Sequence, residues 1–598
     1  MDTPHTPAAA PVIRGDDPDV IFSDSMETFT PGPQPPLVPL AVRVLNKCAY
    51  GPRPGDVVAF NAMGGNDDAR LLAWVNQQLN PDVITDTDCD NHINAGGYTT
   101  RNMTVPQLWA QYVRGNSTGW PQRYYPCEEA YCIKLLRAVY SKRQLFEVMV
   151  DFWHNHFNVQ GWEFGIAPVF MHYDRDVMRG KHPTSQKHYA LGNFRAMLEE
   201  VAKSPAMLMY LDNKSSRRDG FNENFARELC ELHTLGAMHY YPGNDPAIVP
   251  DNDGDGIPDG YCDNDVYEIA RAFTGWTMRD DHWEFPNTPE YDTGEFLYYP
   301  DWHDPFAKFV VGLYILASGP AMSDGRKVLD RLCQHPATAR HICLKLCRRF
   351  ISDDPPQALV ESAATIWRAQ WQAPDQIAQV LRHILTSEAF KATWGEKTKR
   401  PWEALMHSLR ATSAVLTPRV TRSGEWDGYS DLNSRIQQTG NGPFRWPTPD
   451  GYPDHSRKWQ AVSPLSQTWR TLSRLTELRE PGSGDTPFLE RIEQTTKSGI
   501  PTNQRTAIRL VDFWIERFYG YEIEAGRRQR LIDFMRQNAA EGDVLNLDED
   551  HTPTSGGQAG IPQHTGIWQG NNLRRHYTIA RLRAMVALLA MCPEFHHR

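Results

Sequence analysis

The stretch LFEVMVDFWHNHFNV, residues 145–159, carries the pattern that decides the fold class. Its large apolar side chains recur at Leu145, Met149 and Phe152, and the stripe continues to His156. Steps of three and four residues place these side chains on one face of an α-helix, whereas a strand would alternate with a period of two. The stretch therefore predicts a helix with one face in a core.

The same period recurs along most of the chain. It predicts helices over residues 66–79, 133–153, 193–211, 222–236, 264–274, 323–351, 356–370, 374–389, 401–415, 504–518, 523–539 and 571–591. Long stretches rich in Gly, Pro and Asp separate them at 85–130, 237–264, 276–306 and 417–463. Strand-like alternation is scarce, so we expect a mainly α fold, a large multi-helix array with long ordered loops and little β structure.

The chain length and composition suggest how these helices are organised. Residues 1–37 are Pro-rich and without period, which predicts an extended N-terminal arm. Residues 38–598 then form a single large helical domain, or two packed lobes with a boundary near 417–463, because one core stops growing at about 250–300 residues.

Charge and hydropathy exclude two classes of partner. A formal net charge of -11 gives no broad basic field for phosphate backbones, which argues against nucleic-acid binding. No apolar run reaches the roughly 18 residues of a membrane span. The N-terminus shows no export signal. Cys127 and Cys132 lie in a context that we interpret as a loop, where they could pair.

Residues 251–263, DNDGDGIPDGYCD, have the spacing of a calcium-binding loop. Aspartates alternate from Asp251 and Gly256 stands at the sixth position, where the backbone of such loops turns sharply. The predicted calcium ligands are Asp251, Asp253, Asp255, Ile257 through its carbonyl, Asp259 and Asp263. No Lys or Arg occurs from Asp251 to Ala270 to neutralise these carboxylates. The alternative is a solvated acidic turn.

Histidines and carboxylates in three other segments predict a second metal site. The candidate ligands are His154, His156, Glu228, Glu231, His233 and His303. Imidazole nitrogens with carboxylate oxygens suit zinc, iron or copper. The alternative is that each histidine is a core residue with satisfied ring nitrogens and that Glu228 pairs with an arginine such as Arg271.

The loop at residues 440–459, GNGPFRWPTPDGYPDHSRKW, is dense in proline, aromatic rings and charge. Aromatic faces with charged edges suit sugar rings or a peptide. The candidate substrate-binding residues are Arg445, Trp446, Asp450, Tyr452, His455 and Trp459. The alternative is a rigid loop that packs over the helices.

Six ordered motifs give the chain a family resemblance. They are FWHNHFNV at 152–159, NFARELCELHTLG at 224–236, VYEIARAFTGW at 266–276, WHDPFAK at 302–308, HPATARHICLKLCRRF at 335–350 and GPFRWPTPDGYP at 442–453. Together with MCPEF near the C-terminus, they resemble the bacterial domain of unknown function 1800 family over roughly residues 40–598. The resemblance implies no particular reaction. It implies export and a sulfatase-like partner protein, which with the calcium loop favours a periplasmic or extracellular location.

These patterns lead to one functional hypothesis and one rival. We expect a calcium-stabilised, metal-dependent enzyme, a hydrolase or an oxidoreductase, which acts on an extracellular polymer or its fragments. The rival is a noncatalytic secreted binding, export or assembly protein with structural calcium only. Polysaccharide or peptide is the expected substrate or ligand in either case.

Overall fold

The helix predicted from the opening stretch is present and buried. The computed structural model describes residues 37–115, 118–252, 254–420, 428–477, 488–489, 491–537, 539–547 and 573–598. In it the segment Gln144–His156 is helical, and Leu145, Met149, Phe152 and His156 are all buried. The helix ends at His156, and Phe157 caps it.

Helices dominate the described residues, as the periodicity predicts. The first twelve are α1 Leu40–Lys47, α2 Asp56–Asn61, α3 Asp67–Gln78, α4 Thr87–Ala95, α5 Val105–Trp109, α6 Tyr125–Tyr140, α7 Gln144–His156, α8 Phe170–His172, α9 Phe194–Lys203, α10 Pro205–Tyr210, α11 Asn224–Glu228 and α12 Asp263–Ala272. The next seven are α13 Ser323–Gln334, α14 Pro336–Phe350, α15 Gln357–Ala369, α16 Gln376–Leu385, α17 Glu388–Ala392, α18 Pro401–Ala411 and α19 Gly428–Gln438. The last seven are α20 Ser456–Trp459, α21 Val462–Glu477, α22 Ile492–Gly499, α23 Ala507–Tyr519, α24 Ala525–Arg536, α25 Leu573–Met591 and α26 Pro593–His596.

Three of the longest predicted helices are each two helices. Residues 133–153 break at Ser141, residues 193–211 break at Ser204, and residues 323–351 break at His335. In the last two cases a proline follows the break as the first residue of the next helix. Proline fits a first helical turn but cannot continue the turn before it, so the chain changes direction there.

Two of the four predicted loops contain complete α-helices. Residues 85–130 include α4, α5 and the start of α6, and residues 417–463 include α19 and α20. Cys127 and Cys132 lie buried in α6 as free thiols, so the interpretation of their context as a loop is wrong. A spacing of five residues turns them about 140° apart on the helix, which does not favour pairing.

The strands within the described residues form short antiparallel hairpins. β1 Trp276–Asp280 pairs with β2 Asp292–Tyr298, and β3 Lys308–Val310 pairs with β4 Leu313–Ile315. β5 Val415–Leu416 pairs with β6 Phe488–Leu489. The first hairpin occupies most of the predicted loop at 276–306.

Residues Leu37–Arg598 form one compact unit. The predicted arm over residues 1–37 falls, up to residue 36, outside the described part of the chain and stays a prediction. None of the described helices combines the length and apolar character needed to cross a membrane. α6, α7, α14 and α18 contribute many of the buried side chains, and the candidate site lies at the end of α7.

Candidate functional site

The loop at residues 440–459 is fastened to the C-terminal end of α7 by two asparagines. The Asn155 side chain donates to the Tyr452 carbonyl at 2.9 Å and accepts from the Tyr452 N–H at 2.7 Å. Asn158 Nδ2 donates to the carbonyls of Trp446 and Thr448 at 3.1 and 2.7 Å. The hydrogen bonds fix the loop backbone over the motif FWHNHFNV.

The charges of two other carboxyl groups, Glu231 and Asp450, act on Glu228, and we call these three residues the carboxyl cluster. Glu228 ends α11, and Glu231 follows in the π-helical turn Leu229–His233. Burial, the charge of Glu231 and the charge of Asp450 together raise the pKa of Glu228 to about 7. A carboxylic acid with that pKa is partly protonated at neutral pH and can give a proton to a reacting group.

Hydrogen bonds within the loop hold the third carboxyl group, that of Asp450. Trp446 Nε1 donates to Asp450 Oδ1 at 2.8 Å, and Thr448 Oγ1 donates to the same oxygen at 2.5 Å. The Tyr210 hydroxyl donates to the Pro447 carbonyl at 2.9 Å and ties the loop to α10. One oxygen of Asp450 is therefore fixed, and Oδ2 has no hydrogen-bond partner among the described residues.

The charge of Asp450 acts on Lys345, and Lys345 in turn acts on three histidines, His156, His233 and His341. Burial lowers the pKa of Lys345, and the charges of Asp454 and Asp450 partly offset this shift. Burial, with the nearby charge of Lys345, also lowers the pKa of His233 and of His341 to about 3. The His156 ring centroid lies 6.2 Å from each of theirs. The three imidazoles are therefore neutral at physiological pH.

His156 and His233 keep ring nitrogens free inside the fold. His156 Nε2 lies 3.1 Å from the His233 carbonyl, whereas its Nδ1 is buried without a partner. Both ring nitrogens of His233 are buried with no hydrogen-bond partner among the described residues, and its side chain is fully buried. Unpaired buried nitrogens are costly, so they mark a place where a ligand, an ion or water would be bound.

His154 faces a different environment from His156, as expected for residues two apart on a helix. Its Nε2 lies 2.9 Å from Asp174 Oδ1, and Asp174 pairs with Arg179 at 3.0 Å. Burial acts to raise the pKa of Asp174, but Arg179 and His154 hold it well below its usual range. An ionised carboxylate only accepts hydrogen bonds, so the proton of the neutral His154 ring is on Nε2.

His154 also lines a small polar cavity of about 30 Å³. Asp151 lies in its wall with Lys134 Nζ at 2.7 Å and Arg400 Nη2 at 2.5 Å. Phe444, at φ 64° in the left-handed region, closes the cavity from the loop. A cavity of that volume holds one or two water molecules and is too small for a polymer.

His303 belongs to a separate ion cluster. Its Nδ1 lies 2.9 Å from the Thr274 carbonyl, and its Nε2 lies 3.3 Å from Asp324 Oδ2. Lys308 donates to the same Asp324 oxygen at 2.8 Å.

The structure thus divides the six predicted metal ligands among the carboxyl cluster, the His156–His233 pair, His154 and His303. In the part of the chain that the structure describes, no three His, Cys, Asp or Glu side chains are arranged as a metal site. Metal binding by these residues stays a prediction.

The predicted calcium loop curls around Asp251. Its Oδ1 accepts from Gly254 N at 2.9 Å and its Oδ2 accepts from Gly256 N at 3.0 Å, with both glycines in the left-handed region at φ 71° and 79°. Asp259 Oδ2 accepts from the backbone of Asn252 at 3.2 Å. Asp253 lies outside the described residues.

The rest of the fold anchors this loop and changes its charge balance. His335 Nε2, at the start of α14, lies 2.7 Å from the Pro258 carbonyl. Arg368 from α15 lies 3.9 Å from Asp255, although no basic residue is near in sequence. Asp263, at the start of α12, accepts from the Tyr240 hydroxyl at 2.7 Å and from Gly243 N at 3.0 Å. Both of its carboxylate oxygens therefore already have a hydrogen-bond donor. Ile257 N donates to Asp255 Oδ1 at 2.8 Å within the turn, and binding of calcium by the Ile257 carbonyl stays a prediction.

Of the six predicted substrate-binding residues, Trp459 is buried and the other five are exposed or partly exposed. Trp446 and Tyr452 are partly exposed and Asp450 and His455 are exposed. Arg445 stacks 3.6 Å over the Trp162 ring, and Trp459 is buried with its Nε1 donating to the Pro453 carbonyl at 3.0 Å. The first four can meet a ligand, and the last two hold the loop on the helices.

Comparison with known proteins agrees with the motif order. Residues 43–597 match the profile of the family described as protein of unknown function (DUF1800). The chain belongs to the DUF1800 family. No curated protein and no solved structure matches this DUF1800 chain.

The sequence patterns did not predict three residues near the candidate site, Lys345, His341 and Asp174. Lys345 and His341 stand in the motif HPATARHICLKLCRRF, which contributes to the resemblance but was interpreted only as a helix. Their spacing of four residues on one helix face was the available signal. Asp174 gave no signal, because its pairing with His154 requires the fold to bring α7 beside the π-helical turn Tyr173–Met178.

Proposed function

We propose that this protein is a hydrolase that cleaves a polysaccharide or its fragments, with Glu228 as the general acid. The pKa of about 7 that burial, Glu231 and Asp450 give to Glu228 carries the proposal. At neutral pH a large fraction of Glu228 is protonated, whereas an ordinary glutamate is almost wholly ionised. Such a group can protonate a leaving oxygen without a strongly acidic medium.

Asp450 is the partner carboxylate of the proposal. The donors Trp446 Nε1 and Thr448 Oγ1 orient one of its oxygens, which leaves Oδ2 to take a proton from water or to attack the substrate. A pair of carboxyl groups, one of which acts as the acid, is what most glycoside hydrolases use to cleave a glycosidic bond. This chemistry favours a polysaccharide over a peptide as substrate.

The aromatic surface of the loop supports the same substrate class. Trp446 and Tyr452 are partly exposed, and their ring centroids are 4.9 Å apart. Aromatic faces beside carboxylates suit sugar rings, which have apolar faces and hydroxyl edges. We infer that a sugar chain lies along this loop and crosses the carboxyl cluster.

The decisive experiment is a reducing-end assay on soluble polysaccharides of neutral, amino and acidic sugars, with casein as the peptide comparison. We expect kcat/KM to fall as the pH rises above about 7. Glu228→Gln should lower kcat about 10²–10⁴-fold, which is the usual contribution of a general acid. Glu223→Gln, on the same segment and 3.7 Å from Arg227, is the matched control.

Three results would oppose the proposal. Wild-type activity in Glu228→Gln would remove Glu228 as the acid. Hydrolysis of casein alone would change the substrate class. Saturable polysaccharide binding without hydrolysis by the wild-type protein would support the rival, a noncatalytic binding or assembly protein.

A transition metal is the second candidate, supported by the unpaired nitrogens of His156 and His233. Zinc, iron or copper bound there would supply a Lewis acid beside the carboxyl cluster. Elemental analysis of protein purified without added metal should find about one equivalent that is lost in a His156→Ala, His233→Ala double variant. A His455→Ala variant, in which an exposed histidine is removed, should keep the metal. An equal metal content in all three proteins would exclude these ligands.

We also propose that the loop at 251–263 binds calcium and that the protein works in the periplasm or outside the cell. The curled backbone around Asp251 and the left-handed glycines support the first part. Extracellular calcium is high enough to fill weak sites, which links the two parts. A sulfatase-like protein stays the proposed partner, and co-purification from a native host tests it.

A further inference from the structure

A cavity of about 320 Å³ lies between α1, α2, α3 and the loop that joins α6 to α7. Its volume is within the range of sites that bind small molecules. No residue of the carboxyl cluster or of the 440–459 loop lines this cavity, so it is separate from the site proposed above.

Most of the cavity wall is apolar. Ala59 is exposed and Met63 is partly exposed, so the wall on the α2 side is open to solvent. The other apolar lining residues are Leu45, Phe60, Trp74 and Ile84. Transfer of apolar surface from water to such a wall is favourable, so the wall suits a ligand with an apolar body.

The charged residues of the wall are three cations, Arg53, Lys142 and Arg410, and one carboxylate, Asp56. Asp56 Oδ2 already accepts from Arg410 Nη2 at 3.1 Å and from Arg53 N at 2.8 Å. Asp86, which accepts from Lys142 N at 2.8 Å, is buried and does not line the cavity. The wall therefore carries an excess of positive charge.

Two of the three cations are accessible from solvent. Lys142 is exposed, and its Nζ makes no ion pair or hydrogen bond with a described residue. Arg53 is partly exposed, and its Nη1 donates to the Tyr140 carbonyl at 3.1 Å. Burial lowers the pKa of Arg410 to about 9; the charge of Asp56 acts to raise it, and the charge of Arg53 acts to lower it further. Arg53 and Arg410 therefore repel each other, and an anion bound beside Arg53 would reduce that repulsion.

We propose that this cavity binds a small apolar carboxylate, a molecule with one carboxylate group on an aromatic or aliphatic body. Arg53 and Lys142 receive the carboxylate, because a guanidinium matches carboxylate geometry and an ammonium group adds a further charged donor. The body of the ligand lies against Met63, Trp74 and Ile84.

The test is isothermal titration calorimetry of the full chain with 3-phenylpropanoate and octanoate, which distinguish an aromatic from an aliphatic body. The ligand controls are 3-phenylpropanamide, which has the same body without the charge, and acetate, which has the charge without the body. We expect saturable binding of at least one of the two larger carboxylates and at least tenfold weaker binding of both controls. Binding should weaken as the ionic strength rises, because the cations that receive the carboxylate are accessible.

Two variants test the location. An Arg53→Gln, Lys142→Gln double variant should bind the carboxylate at least tenfold more weakly. Ala59→Phe, which adds bulk at an exposed position of the wall and keeps both cations, should also weaken binding. An Arg340→Gln, Lys187→Gln double variant is the matched control, because it removes an exposed arginine and an exposed lysine outside the cavity, and it should bind as the wild type does.

Absence of saturable binding of both larger carboxylates by the wild-type protein would overturn the proposal. Equal binding of the amide would overturn the role of the charge, and equal binding of acetate would overturn the role of the apolar wall. Unchanged binding in Ala59→Phe and in the Arg53→Gln, Lys142→Gln double variant would overturn the location. A crystal structure of the wild-type chain with 3-phenylpropanoate locates the ligand even if a variant does not fold. None of these outcomes bears on Glu228, whose test uses a different ligand and different residues.

Discussion

At the scale of single residues, Glu228 and Asp174 are carboxyl groups whose pKa values shift in opposite directions. Burial, with the charges of Glu231 and Asp450, raises the pKa of Glu228 to about 7, although Arg227 acts to lower it. Asp174 is more deeply buried, but Arg179 and His154 hold its pKa well below the usual range. The contrast comes from the neighbouring charges, because burial acts to raise the pKa of both.

Replacement of Asp174 should be strongly destabilising. Asp174→Ala leaves Arg179 and His154 without their buried partner, which costs about 3–5 kcal/mol for a pair of this kind. Asp176→Ala is the matched control in the same turn, because Asp176 is 41% exposed and its loss should cost about 1 kcal/mol or less. Urea unfolding at pH 7 measures both, and equal midpoints would contradict the expectation.

Glu228 should make the stability of the protein depend on pH in a defined direction. Its pKa is higher in the folded protein than in the unfolded chain, so folding favours the protonated form. The protein should therefore lose stability as the pH rises from about 4.5 through about 7. Melting temperatures at pH 5 and pH 8 should differ less in Glu228→Gln than in the wild type. An unchanged difference would show that Glu228 does not titrate in this range.

At the scale of elements, the helix period predicted helix positions well and helix ends less well. Residues 66–79 and 356–370 match α3 and α15 to within a residue or two. The segment 323–351 was predicted as one helix because both halves have the same apolar period on either side of His335. Pro336 is the local signal for the break, and the apolar period alone does not reveal it.

The 440–459 loop shows what periodicity cannot supply. Its composition predicted a rigid or ligand-binding loop, and its docking on α7 follows from side-chain hydrogen bonds of Asn155 and Asn158. Such bonds join residues that are far apart in the sequence. Without the fold, neither asparagine differs from one in a solvated turn.

Asn158→Ala should loosen this loop without unfolding the protein. The variant loses two hydrogen bonds to the Trp446 and Thr448 carbonyls, worth about 0.5–1.5 kcal/mol each. Amide hydrogen exchange in residues 444–455 should become faster, and polysaccharide turnover should fall because Asp450 lies in that segment. Asn80→Ala, which removes an exposed bond to its own helix at Asn76, should change neither. Unchanged exchange in Asn158→Ala would contradict the proposed fastening.

At the scale of the whole molecule, the fold gathers motifs that are scattered along the sequence. Glu228 and Glu231 could be placed on neighbouring positions from the sequence, but the charge of Asp450 acts on Glu228, and on Lys345, only in the folded chain. The predicted set of six metal ligands was chosen by residue type. The fold instead gives His154 and His303 their own carboxylate partners, Asp174 and Asp324. Residue type is readable from sequence, whereas the choice of partner is set by tertiary packing.

Calcium should raise the stability of the whole chain, because the 251–263 loop is joined to elements far from it. His335 at α14 and His239 both contact its backbone, at 2.7 and 3.0 Å, so release of the loop also frees these contacts. An ion that binds only the folded state adds about 2.7 kcal/mol at a concentration one hundred times its Kd.

Addition of EGTA should therefore lower the melting temperature of the wild type. Asp251→Ala should remove this response, since Asp251 organises the turn through Gly254 and Gly256. Asp88→Asn, in the acidic stretch that forms α4, should keep the response. A wild-type melting temperature that does not respond to EGTA or to added calcium would exclude the ion from any stabilising role.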